Sequence, residues 1–199
     1  MTRYILLLFT FFIILFNLSF SNNQQPTRAQ EVKKNYLQKL DTFIRQAGYL
    51  RDAVNADKHS SFQNHFFFFI KAYKETETIT EYFYKAFAQR LNGPPIPYFE
   101  ESEPYILVND PYGMQVIEGL IFPAYNTSDK KELLRIVDDM REQLQYLAVM
   151  NEPFEFNDAN IFDAFVEEAY RIAALGLPGF DSQTAQYSLE ENAAALKGL

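Results

Sequence analysis

A chain of 199 residues has room for one domain with a sizeable core and is cramped for two. Its formal charge of −8, with Lys and Arg scattered singly rather than in a basic stripe, disfavours nucleic acid or an anionic membrane as a partner. The absence of Cys excludes disulfides, thiolate chemistry, zinc–sulfur sites and the Cys-x-x-Cys-His attachment of c-type haem, while 20 Phe and 13 Tyr make disorder of the chain body untenable.

Residues 1–21 read as a secretory signal peptide. Arg3 gives a basic start, Ile5 to Phe16 form an apolar run shorter than the ~20 residues a spanning helix needs, and Ser19-Phe20-Ser21 offers small residues for cleavage. The protein is therefore expected to be periplasmic or secreted, with no membrane insertion after cleavage; an uncleaved anchor is the alternative. Residues 22–29, polar and containing Pro26, are expected to form a flexible leader, and residues 30–199 a single domain.

From Gln30 to about Ala56, apolar residues recur at the three-then-four spacing of an amphipathic helix. Arg51 continues the stripe of Leu37, Leu40, Ile44 and Ala47, so its stem is expected to be buried while its head seeks an acid. A second long helix is predicted over residues 61–91. Its inner stripe is Phe62, Phe66, Phe69, Tyr73, Glu77, Thr80, Phe83, Phe87 and Leu91, and Lys71, Lys74, Glu75, Thr78, Lys85 and Gln89 form the wet side. Asn92-Gly93 supplies a left-handed cap, and Pro94, Pro95 and Pro97 prevent continuation.

Residues 93–109, acidic and rich in proline, are expected to wrap the bundle as a connection. Asp110 then caps a central helix with Pro111 in its first turn. In it Gln115 and Glu118, three apart, leave one face amid Met114, Val116, Ile117, Leu120, Ile121 and Phe122. A helix so apolar is a buried one, and its two polar side chains must be hydrogen-bonded, paired or metal-bound. A fourth helix is predicted from Thr127 or Ser128 to Met150. A fifth, capped by Asn157, runs from Asp158 to Leu175 with Ile161/Phe162, Phe165, Ala169, Ile172 and Leu175 inward. A Ser188–Glu191 capping box opens a last piece to Leu199. Helices joined by short turns, without alternating strands, predict an all-α fold, an antiparallel bundle of five to six helices.

Gly113-x-Gln115-x-x-Glu118 resembles the Gly-x-His-x-x-Glu signature of the imelysin family of periplasmic helical proteins, with Gln in place of His. Followed by Leu120-Ile121-Phe122-Pro123, it is more similar to the helical region preceding di-haem cytochrome c peroxidase domains in Bacteroidetes-type proteins. Supporting stretches are 72–77, 81–83, 91–95 and 176–181, so the resemblance covers roughly residues 62–185. It implies an accessory helical domain that packs beside, gates or docks a haem peroxidase module, in cis or in trans. The peroxide and electron-transfer chemistry, and haem c itself, would belong to that module, with no cofactor in this chain. The alternative implied is a stand-alone imelysin-like metal- or haem-binding protein for iron uptake. Relatives of that type place Glu118 at a matched metal-binding position and Gln115 at a mismatched one.

Read from the residues, Glu77 shares the apolar stripe of the second helix, and paired carboxylates on facing helices are how bundles build metal sites. Glu118, Gln115 and Glu77 are thus the candidate metal set, and Arg51, Glu77, Gln115 and Glu118 the candidate structural polar cluster. The structural reading is preferred, because a Gln amide oxygen is a poor ligand for iron or copper beside imidazole. His59 falls in a polar turn and His65 beside Phe66, neither in a His-Glu-x-x-His helix, and no nucleophile elbow or phosphate loop is present. No catalytic residue is assigned.

Overall fold

The computed structural model describes residues 26–93, 95–102, 105–151 and 154–199; the expected signal peptide and the first part of the leader lie outside the described residues. Thr27 opens helix α1 (Arg28–Asn55). Its side chain accepts from the Gln30 amide, and the Gln30 side chain accepts from the Thr27 amide. This reciprocal cap draws the last residues of the expected leader into the helix. The inward face of α1 is Tyr36, Leu40, Phe43, Ala47, Leu50 and Val54, at the spacing the sequence prescribes.

Helix α2 (Phe62–Phe83) is the hub, packed against both earlier and later helices. On one side Phe62, Phe66, Phe69 and Tyr73 are fully buried, and Phe43 of α1 meets the Phe69 and Tyr73 rings at centroid distances of 5.0 and 5.8 Å. The expected single helix breaks at Tyr84 (φ −130°, ψ 46°) and resumes as α3 (Lys85–Asn92). The break lies in an aromatic nest: Phe83 stacks on Phe156 at 4.7 Å and Tyr84 lies parallel to Tyr36 at 6.3 Å. Ring packing, worth about 0.5–1.5 kcal/mol per pair beyond area burial, overrides the helical period here. The segment read as one helix therefore counts as two.

The connection expected to wrap the bundle is instead an antiparallel hairpin, β1 (Tyr98–Ser102) and β2 (Tyr105–Asn109), with Phe99 opposite Val108 and Glu101 opposite Ile106. Alternation along each strand puts Phe99, Ile106 and Val108 on one face, with the Glu101 position in register among them; the three apolar side chains are exposed to 71, 68 and 59%. This excursion adds no layer, and the fold is an all-α bundle.

Helix α4 (Met114–Ile121) starts later than the Asp110 cap predicts, at Gly113, which has φ +86° and makes no side-chain cap. Backbone proximity decides this. A Cβ on Gly113 would come within 2.7 Å of the Leu91 carbonyl oxygen, and one on Gly93 (φ +56°) would run into the Tyr112 carbonyl. Residues 112–113 cross the end of α3 where only glycine fits on both sides.

Helix α5 (Lys130–Asn151) closes the α1 seam with Leu133, Ile136, Val137, Met140, Leu144 and Leu147. Helix α6 (Asp158–Arg171) is capped by Asn157, which accepts from the Asn160 amide at 2.9 Å, and continues into a wide π turn at Ile172–Gly176. Its buried residues are Ile161, Ala164 and Glu168, whereas Phe162 and Ala169 of the expected inward stripe are exposed. Helix α7 (Ser188–Gly198) lies on α2. The expected Ser188–Glu191 capping box is absent because Glu191 turns inward and is buried. Among the described residues, no helix is long and apolar enough to cross a membrane.

Candidate functional site

The side of α2 facing away from α1 carries Lys74, Glu77 and Glu81, which helical geometry lines up at i, i+3 and i+7. Lys74, read from the sequence as part of the wet side, is only 5% exposed. Its Nζ donates to Glu77 Oε1 at 2.8 Å and to Asp181 Oδ2 at 2.9 Å. Arg171, at the end of α6, donates to Glu77 Oε1 at 3.2 Å and to Glu81 Oε1 at 3.0 Å. The Tyr73 hydroxyl donates to the same Glu81 oxygen at 2.7 Å, and Asn92 Nδ2 donates to Asp181 Oδ1 at 3.3 Å. Three helices and the 177–187 loop thus converge on one polar network.

Glu168, one helical turn before Arg171, is 1% exposed, and neither of its carboxyl oxygens has a hydrogen-bond partner. Its nearest cation is Arg171, whose Nε lies 3.7 Å from Glu168 Oε2. Burial, followed by the charge of Glu77, raises the Glu168 pKa to about 8. Burial likewise raises Glu191 to about 7, against the pull of Lys74. For Asp181, burial is outweighed by the charge and hydrogen bond of Lys74, and the group is held below its ordinary range. Lys74 is held above its own range because Glu77 and Asp181 outweigh its desolvation.

Two spaces adjoin the network. A surface cleft of about 500 Å³ is bounded by Glu81, Asn92, Arg171, Leu175, Phe180 and Asp181 among others. Sharing Arg171, Leu175 and Asp181 with that cleft is a second, partly open space of about 10 Å³ bordered by Lys74, Glu77 and Glu168. That volume is about the size of one water molecule.

The structure separates the four residues grouped from the sequence. Glu77 is at the network centre. Glu118 is also buried, but its Oε1 accepts from the backbone amides of Thr184 and Ala185 at 2.8 and 2.6 Å. It thereby anchors the loop that delivers Asp181 to Lys74. Gln115 is half-buried on α4 and has no part in the network. Arg51 is elsewhere: its Nε donates to Asp138 at 2.8 Å on the α1–α5 side, with the side chain 35% exposed. Its head finds an acid as expected, but the acid is on α5. His59 packs its ring on Phe62 and Tyr125 in the turn before α2. Among the described residues, no group of three or more His, Asp or Glu side chains is arranged to hold a metal ion.

Sequence reasoning missed Lys74, Arg171, Glu168, Asp181 and Glu191. A signal was present in Lys74–Glu77 and Glu168–Arg171, two opposite-charge pairs at i, i+3 on helices of strong apolar period. Nothing in the spacing shows that the two pairs face each other. No family model matches the chain, and no curated protein matches it.

Proposed function

We propose that the chain is an extracytoplasmic, non-catalytic helical module that docks a di-haem cytochrome c peroxidase module, the redox chemistry residing in that partner. The observation that carries the reading is the hairpin, which exposes Phe99, Ile106 and Val108 on one face. A two-stranded hairpin is marginal in water by itself, and an exposed apolar face of this kind marks a protein interface. The imelysin-like alternative, a metal- or haem-binding protein for iron uptake, would have to use Glu118 through Oε2, since Oε1 holds the Thr184 and Ala185 amides, and without Glu77, which is tied to Lys74 and Arg171.

The test uses the tagged full-length chain expressed in its native host, with affinity eluates read for a c-type haem spectrum and assayed for peroxidase activity. The expected result is co-elution of a c-type haem protein that is lost in the Phe99→Asp, Val108→Asp double variant. Eluates free of haem protein, together with a submicromolar iron or haem site on the purified chain that Glu118→Ala abolishes, would overturn it in favour of the alternative.

A further inference from the structure

The network beside the cleft is short of positive charge. Four carboxylates, those of Glu77, Glu81, Glu168 and Asp181, pair with two cations, the buried Lys74 and the part-buried Arg171, and Glu191 is buried nearby with no ion pair to either. Burial raises three of these acids, Glu168 to about 8, Glu191 to about 7 and Glu81 above its ordinary range. Glu168 is the clearest sign of the deficit: it borders the smaller space behind the cleft, buried, with neither oxygen accepting a hydrogen bond. An anionic ligand would face Glu81 and Asp181 in the cleft wall, and Nη2 of Arg171 is already bonded to Glu77 and Glu81.

The cleft in front has the complementary features for a cation. Both bonds received by Glu81 fall on Oε1, which leaves Oε2 for an incoming donor. Phe180, 55% exposed, and Leu175 supply apolar wall, and an aromatic face attracts a cation by about 0.5–2 kcal/mol. A cleft of about 500 Å³ suits a small organic molecule. We propose that this cleft binds a small organic cation, an ammonium group on an apolar stem, with the ammonium on Glu81 and the stem against Leu175 and Phe180. Lys85 stands at the exposed rim, where its charge opposes such a ligand. The proposal is independent of the hairpin and of any haem partner.

Isothermal titration of the mature chain with three probes of one shape and different heads tests this: phenethylamine, phenethyl alcohol and phenylacetate. The amine is expected to bind saturably and about tenfold or more tighter than the alcohol, with phenylacetate weakest. Glu81→Gln should weaken amine binding about tenfold, and Phe180→Ala, at an exposed position that leaves folding intact, about fivefold. Lys85→Ala should strengthen it. No saturable amine binding, tighter binding of phenylacetate, or wild-type amine affinity in both Glu81→Gln and Phe180→Ala would overturn the proposal; thermal melts of each variant confirm that it is folded.

Discussion

Helix α2 has two buried sides that are held by opposite means. Toward α1 it presents Phe62, Phe66, Phe69 and Tyr73, packed ring against ring, with the Tyr73 hydroxyl alone among them reaching across to the charged network at Glu81. Toward α6 and α7 it presents the buried Lys74 and Glu77 and the part-buried Glu81, tied by ion pairs of 2.8–3.2 Å. The apolar side gains from burial alone and is indifferent to pH. The polar side must offset desolvation bond by bond, and it falls short at Glu168. A bundle stabilised on one side can carry such a strained arrangement on the other, which is where a cleft and a ligand site are tolerated.

The contrast can be broken at either side. The largest effect is expected from Phe69→Ala, which should cost about 3–5 kcal/mol in urea unfolding, by the same amount at acid and neutral pH. Lys74→Ala strands Glu77 and Asp181 without their shared cation and should cost about 3 kcal/mol at neutral pH. That cost should shrink in acid as the carboxylates take up protons; a cost constant with pH would show that Lys74 contributes packing alone.

Glu168 sharpens the comparison through its sign. Its ordinary value of 4.5 applies to the unfolded chain, and the folded value is about 8. Between these the folded state binds more protons, so stability present below about pH 4.5 is lost as pH rises through about 8. The groups around it are Glu77 and Lys74 on α2 and Arg171 on α6, with Asp181 on the loop and Glu191 and Asn192 on α7 at the same network. Glu168→Gln should therefore leave stability unchanged near pH 4 and raise it by on the order of 2 kcal/mol near pH 9. Denaturant melts across that range give the slope directly.

A smaller effect is expected at Glu118. Its replacement by Ala leaves the Thr184 and Ala185 amides without their acceptor, at about 1–3 kcal/mol, and should speed hydrogen exchange at both. Smallest is Arg51→Ala, which removes a part-exposed pair with Asp138 and should move the melting temperature little.

Periodicity alone specified the helices with one apolar face: α1, α5 and most of α2 are buried on the residues their spacing selects, because the three-then-four pattern is a property of a single helix. The capping positions at Asn157 and the glycine stop at Gly93 were legible for the same local reason. The break at Tyr84, the hairpin and the inward turn of Glu168 in place of Phe162 were not, since each depends on what approaches from elsewhere in the chain. Lys74 is the sharpest case. By sequence it lies on the solvent side of α2, and it is buried only because α7 and the loop anchored by Glu118 cover it with the carboxylates it needs. Local pattern determined which residues form helices, while the decision about which charges leave water belonged to the tertiary structure, because desolvation is set by neighbours that sequence spacing does not name.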